Sequence, residues 1–401
     1  MNCPRCETPY PEVARFCAAC GTDVRASDKV GQARRRVFAA HPGEPLVSFN
    51  VVTSLMPLAS ATAPQTYKFA LAIGLAIPIV AALFGLLPFA LATAAVVVPI
   101  VYILYLYDVN EWEDEPVPVV LGTVAFAAVL SLVFTLVWRD GILGGGVAFV
   151  GRRNHPHVDT KTLLVVGLLL PVVSEALKQI GPIWLATKAR FDDLLDGVTF
   201  GVASGATYAA IETIVVNRQL IFSGQSHFDH IDPAVWISIV VVAGLIKPVI
   251  YGAATGIAVG GFSGLGEGYD GFKPLYWRGL GEALLANVAF QVGIYLLGLS
   301  GGTVGVSLGL VWGLIVAGAL VLRLRVLLHT ALLEGALEHA RNGTVPKAAS
   351  QDIGFCPECE LPLLHNASFC IACGASVRAA SKLSRRANSE PGATVTEEAP
   401  V

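Results

Sequence analysis

Eight cysteines form four C-x-x-C pairs, two pairs near each end of the chain. At each end a gap of ten residues separates the pairs, and glycine follows the second pair. The pairs are Cys3/Cys6, Cys17/Cys20, Cys356/Cys359 and Cys370/Cys373. Two such turns can direct four thiolates at one ion, and four thiolates are a common ligand set of structural zinc. The spacing therefore predicts a zinc ribbon at each end and two structural zinc ions per chain.

Disulfide bonds in a secreted protein are the alternative use of these cysteines. A secretory leader has a basic start and an apolar core, whereas residues 1–25 are polar and cysteine-rich. The duplicated pattern without such a leader favours metal in a reducing compartment. Because a ribbon this short has almost no core, the metal is expected to supply its folding free energy, about 10 to 16 kcal/mol for zinc peptides.

Three charged residues inside apolar segments form the second group that could do chemistry. Glu175 and Lys178 are three residues apart, so a helix places them on one face, where they can pair. Glu212 follows a run rich in glycine, alanine and serine. A charged side chain in a membrane costs about 2.5 to 3.5 kcal/mol on insertion scales unless it is paired or wetted. The three residues are either a catalytic set, with glutamate as general base, or an ion pair that fixes helix register.

The elements that must hold these residues are membrane helices. The 401 residues are 54% hydrophobic and 14% charged, whereas globular proteins carry about 25% charged residues. A net charge of -3 gives no basic field, so the expected partner is the lipid bilayer and not nucleic acid. The predicted fold class is an all-α polytopic membrane bundle with a small zinc ribbon at each terminus.

Eight segments are long and apolar enough to span a bilayer. Residues 69–107 carry no charge and are twice the roughly 20 residues that a span needs. Gly85 and Pro88 therefore predict a turn between two helices. The further spans are Val117–Trp138, Thr162–Thr187, Leu194–Val216, Ala234–Phe262, Gly279–Leu299 and Thr303–Leu322. The small residues of the fifth span predict that it is central in the bundle.

The topology predicts an integral, multi-pass protein of the cell membrane with both termini in the cytoplasm. An even number of spans returns both ribbons to one side, and most flanking lysines and arginines lie on that side. The predicted parts are an N-terminal ribbon, a linker, a membrane domain, a cytosolic helix, a C-terminal ribbon and a disordered tail. In that order they cover residues 1–25, 26–68, 69–322, 323–342, 355–378 and 379–401.

Several strings in the membrane domain resemble a known family in order and spacing. They are Glu115-Pro116 before the third span, Ser174–Lys178 in the fourth, and Asp193–Gly201 with Gly205–Glu212 in the fifth. Together they resemble the motifs of the PrsW family of intramembrane proteases, relatives of the CAAX prenyl endopeptidases, over roughly residues 69 to 300. The resemblance implies a peptidase that acts on membrane proteins, with catalytic residues Glu175, Lys178 and Glu212.

The chain departs from the family pattern at the glutamate and histidine positions that catalysis depends on. Ser174 replaces the first of two paired glutamates, and Pro248 falls where the family has a histidine. A later H-x-x-x-D or H-x-x-x-N motif corresponds to Asn287 and Gln291. Hydrolysis needs a water activated by a metal or by a glutamate. Two glutamates are too few for a metal site, so no catalytic metal is predicted. In a mechanism that uses only a glutamate as base, Asn287 could donate a hydrogen bond to the oxyanion.

Two functions from different classes stay open. One is a PrsW-type protease that cleaves single-span membrane proteins with Glu175 and Glu212. The other is an inactive pseudoprotease that serves as a membrane receptor or scaffold, with the ribbons as docking modules for cytosolic proteins.

Overall fold

The computed structural model describes residues 1–25, 66–109, 116–142, 158–222 and 240–344 without 267, together with most of 356–375. These residues divide into two compact units. One unit takes residues 1–48 and 333–401, and the other takes residues 49–332. Residues 26–65 of the predicted linker and the predicted tail lie outside the described residues.

Eight helices of the described chain are long and apolar enough to cross a membrane. The predicted number of spans and the all-helical fold class are therefore confirmed. The helices are α1 (Thr66–Leu83), α2 (Leu87–Val109), α3 (Val117–Leu136), α4 (Leu170–Ala186), α5 (Leu194–Val216), α6 (Lys247–Ser263), α7 (Pro274–Gly298) and α8 (Gly302–Thr344).

The turn between α1 and α2 lies where the sequence predicts it. Gly85 has a φ of +72°, a conformation that glycine adopts without a steric penalty. At the other end of the membrane region, α8 is one continuous helix from Gly302 to Thr344. The predicted eighth span and the predicted cytosolic helix are thus parts of the same helix.

Wide π-helical turns extend α4 and α6 at their N-terminal ends. They cover Leu163–Leu169 and Val240–Ile246. Pro171 and Pro248 follow these turns within two residues. A proline lacks the N–H of a regular helix and crowds the carbonyl four residues earlier, which favours a local change of helix geometry. The first turn directly precedes the helix that carries the buried Glu175 and Lys178, and the second directly precedes Lys247, whose side chain is 12% exposed.

Helices α5 and α6 form the centre of the bundle. In α5, 89% of the membrane-spanning stretch is buried, against 17% in α1 and in α7. A Cβ atom added at Gly201 would lie 2.8 Å from the Cα atom of Gly256 on α6. Small residues allow this close approach of two backbones. The expectation that the fifth span is central is confirmed.

Candidate metal centres and membrane site

Each ribbon gathers its four cysteine sulfur atoms within 4.8 Å of one another. The shortest separations are 3.5 and 3.7 Å in both ribbons. A tetrahedral ion with metal–sulfur bonds of about 2.3 Å holds its ligands about 3.8 Å apart. All eight cysteines are free thiols, so they are arranged as two candidate metal sites and not as disulfides.

The knuckle turns explain the glycine that follows the second cysteine pair. The N–H of Gly21 donates to the carbonyl of Cys17, and that of Gly374 donates to the carbonyl of Cys370, both at 2.9 Å. The glycines have φ values of +70° and +79°, where a Cβ atom is strained. Hydrogen bonds between Cys20 and Thr22 lower the pKa of the Cys20 thiol to about 6, which favours the thiolate that a metal needs.

In the membrane bundle, the Glu175 carboxylate is buried and surrounded by donors. Its Oε2 atom lies 2.6 Å from Lys178 Nζ and accepts a hydrogen bond from Asn287 Nδ2 at 2.9 Å. Its Oε1 atom accepts from Gln179 at 2.9 Å and from Thr255 at 3.1 Å. The structure thus brings Glu175 and Lys178 together as an ion pair, and both carboxylate oxygens are engaged.

Glu212 has a different partner, Lys247 at the start of α6. The Lys247 Nζ atom lies 3.1 Å from Glu212 Oε2, and both side chains are nearly buried. The sequence did not single out Lys247 as a site residue, because the family pattern has its histidine at the next position, which is Pro248 here. The available signal was charge: Lys178 alone cannot neutralise two buried carboxylates, so a second cation was needed.

The ring of Tyr251 joins the two ion pairs. Lys178 Nζ lies 3.8 Å from the ring centroid, and Lys247 Nζ lies 5.4 Å from it, distances at which a cation is attracted to the ring. Gln291 Nε2 donates to the tyrosine hydroxyl at 2.9 Å. Glu175, Lys178, Glu212 and Lys247, here called the Glu/Lys quartet, therefore form one cluster of zero formal net charge.

A small pocket opens beside the quartet. Its cavity volume is about 10 Å³, and its polar lining comes from Ser174, Glu212, Tyr251 and Gln291. The apolar lining consists of Phe134, Trp138, Val166, Leu170 and Pro171. Of the two glutamates, only Glu212 lines this pocket, whereas Glu175 is held by its polar partners.

The quartet does not fit a divalent metal. In the described part of the chain, three or more histidine, cysteine, aspartate or glutamate ligands converge only in the two ribbons. Each glutamate of the quartet is paired with an ammonium group, which neutralises the charge that would attract a cation and repels it. The four histidines between residues 69 and 300 are His155, His157, His227 and His230. They lie outside the described residues, as does Glu115.

Comparison with known proteins identifies the membrane region. Residues 115–296 match the model of a family described as PrsW family intramembrane metalloprotease. The matched range contains all four residues of the Glu/Lys quartet and all nine residues that line the pocket. Searches of curated protein sequences and of solved structures find no match.

Proposed function

We propose, on the premise that residues 115–296 match the model of the PrsW family of intramembrane metalloproteases, that the bundle binds membrane-protein segments without hydrolysing them. In this proposal the chain is a pseudoprotease that serves as a membrane receptor or scaffold. The observation that carries it is the Glu/Lys quartet, in which lysine ammonium groups pair with both glutamates.

The environment of Glu175 argues against a catalytic role. A general base needs a free lone pair within reach of a water molecule. The two oxygens of Glu175 receive three hydrogen bonds and the Lys178 ammonium. Asn287, the residue that could donate to an oxyanion, donates to Glu175 instead. These contacts support a structural role for both residues.

The quartet and its partners connect four helices of the bundle. Glu175 and Lys178 lie on α4, Glu212 lies on α5, and Lys247 lies on α6. Asn287 adds α7 through its bond to Glu175. Because the charges are matched and buried, loss of one partner would leave an uncompensated charge, at a cost of about 3 to 5 kcal/mol. The quartet therefore holds together the helices that surround the pocket.

The pocket suggests the class of ligand. Its lining is mostly apolar with a few polar groups, which is typical of sites that bind a largely apolar ligand in a fixed orientation. Its cavity volume of about 10 Å³ holds about one water molecule, so a ligand side chain would cover the mouth of the pocket and not enter it. We assign this contact to a side chain of a single-span membrane protein that packs against the bundle.

The ribbons complete the proposal. Four thiolates without an open position are the ligand set of structural zinc, so the ion in each ribbon is assigned as zinc through Cys3, Cys6, Cys17, Cys20 and their C-terminal counterparts. Cysteines stay out of disulfide bonds, and so remain able to bind zinc, in a reducing compartment. Both termini are accordingly placed in the cytoplasm, where cytosolic proteins can reach the ribbons.

A second candidate function rests on Glu212. This glutamate lines the pocket, and its Oε2 atom has the Lys247 ion pair but no aligned hydrogen bond. In a metal-independent peptidase, Glu212 would take a proton from a water molecule in the pocket while the water oxygen attacks the scissile carbonyl. Glu212 would then give that proton to the amine as the C–N bond breaks. The Tyr251 hydroxyl accepts a hydrogen bond from Gln291, so its own O–H is the group of the pocket lining that could donate to the oxyanion.

One experiment separates the two functions. Membranes that contain the wild-type chain, the Glu212→Gln variant or neither are compared for new protein N-termini by mass spectrometry. The proposal expects the same N-termini in all three, while single-span proteins co-purify with the wild type. Cleavage products that need the wild type and disappear with a folded Glu212→Gln variant would establish the peptidase instead.

A further inference from the structure

The N-terminal and C-terminal ribbons contact each other within one compact unit. The N–H groups of Arg15 and Phe16 both donate to the carbonyl of Ile371 at 2.9 Å. In return, the N–H groups of Ser368 and Phe369 donate to the carbonyl of Ala18 at 2.9 and 3.0 Å. Four backbone hydrogen bonds thus join segments that are more than 300 residues apart in the chain.

These contacts are reciprocal, because the residues that form them occupy equivalent positions of the duplicated motif in the two ribbons. Phe16 and Phe369 each come directly before the third cysteine of their ribbon. Ala18 and Ile371 each come directly after it. Exchange of the two ribbons therefore maps each hydrogen bond onto another of the set. This is the geometry of an isologous, two-fold interface, here formed between two parts of one chain.

Ring contacts follow the same symmetry. The ring of Phe369 packs on the backbone of Gly21, where an added Cβ atom would lie 2.8 Å from the ring. The ring of Phe16 packs on Gly374, with a corresponding distance of 3.0 Å. Each phenylalanine thus covers the knuckle glycine of the other ribbon. Besides allowing the turn, the glycines leave room for the opposing ring.

We propose that the two ribbons are binding partners of each other and form a single module, the ribbon clasp, defined by residues 15–21 and 368–374. The clasp joins the two ends of the chain on one side of the membrane. Its Phe/Gly surfaces are occupied by the opposite ribbon, so a cytosolic partner binds elsewhere on the module or competes with the clasp.

The partner is the other ribbon of the same chain and not that of a second copy. Four hydrogen bonds and two ring contacts make a small interface, too small for a stable association between separate chains. Within one chain, the covalent connection raises the effective concentration of one ribbon near the other. A weak contact is then sufficient to keep the clasp closed.

The clasp is expected to depend on metal. The carbonyl groups of Ala18 and Ile371 lie inside the C-x-x-C turns Cys17–Cys20 and Cys370–Cys373. Their orientation follows from the knuckles that the metal holds in shape. Removal of the ions would unfold both surfaces at once and release the two ends of the chain.

Photo-crosslinking of the full-length protein in lipid nanodiscs tests the clasp. Arg15, whose side chain is exposed, is replaced by benzoylphenylalanine, which leaves the backbone bond to Ile371 intact. Irradiation should join the peptide that contains position 15 to the peptide that contains residues 368–374, within a monomer. Chelation of the metal, or the double change Phe16→Ala and Phe369→Ala, should lower the yield at least tenfold.

Metal content supplies the control for folding of the ribbons. The double alanine variant should keep the same number of ions as the wild type, since neither phenylalanine is a ligand. Two results would overturn the proposal if the wild type holds its metal: crosslinks that form only between two chains, or crosslinks that leave residues 368–374 unlabelled.

Discussion

At the scale of single residues, the sequence indicated three of the four charged residues of the membrane site but not Lys247, the second cation. Glu175, Lys178 and Glu212 stood out because charged residues are costly in apolar spans. The i, i+3 spacing correctly predicted the ion pair between Glu175 and Lys178. Charge balance indicated that a second cation was needed beside the two carboxylates. The pairing of Glu212 with Lys247 joins two helices whose relative position the sequence does not specify, so the identity of that cation could not be predicted.

The Glu175–Lys178 pair can be tested by a double-mutant cycle. Glu175→Gln or Lys178→Met alone should destabilise the protein by about 3 to 5 kcal/mol, because each leaves one buried charge unpaired. The double variant should be more stable than the sum of the two losses predicts. Thermal unfolding in detergent measures all three variants.

Glu282 provides the matched control for this cycle. It contacts Arg278 and Arg323 near the surface of the bundle, and its side chain is 29% exposed. Glu282→Gln should therefore cost only about 0 to 1 kcal/mol. Equal losses at Glu282 and Glu175 would show that burial does not decide the strength of these pairs, contrary to the role given to the quartet.

At the scale of helices, hydropathy and glycine content were sufficient to predict the spans, the Gly85 turn and the central position of α5. The π-helical turns before α4 and α6 were not predicted. Pro171 and Pro248 mark their positions, but a proline is also compatible with a kink or a helix start. Which of these forms depends on the packing of neighbouring helices.

A pair of glycine variants tests the contact between α5 and α6. Gly201→Ala places a Cβ atom 2.8 Å from the backbone of Gly256, and the overpacking should cost about 1 to 3 kcal/mol. Gly122→Ala on α3 makes the same chemical change where nothing lies within 4 Å. It should leave the unfolding temperature in detergent unchanged or raise it slightly. Similar losses for both variants would contradict the close packing.

At the scale of the whole molecule, the duplicated cysteine pattern predicted both candidate metal sites, because four ligands with fixed spacing are a local property. It did not predict that the two ribbons pair with each other. That contact depends on Phe16, Phe369 and the knuckle glycines acting across the length of the chain, and each ribbon by itself gives no sign of its partner.

The topology has a direct test. Reporter proteins fused after residue 30 and after residue 350 should both report the cytoplasm, since the clasp and the even number of spans require a common side. A reporter in the segment between Arg139 and Lys161 should report the opposite side. Fusions at 30 and 350 that report different sides would contradict both the span count and the clasp.

The metal content of the purified protein tests most directly whether the membrane site works without a metal. Each ribbon supplies one closed site of four thiolates, and the Glu/Lys quartet supplies none. Elemental analysis should therefore find two zinc ions per chain in the wild type and two in the Glu212→Gln variant. Three ions in the wild type and two in Glu212→Gln would place a metal in the membrane site and contradict the proposed function.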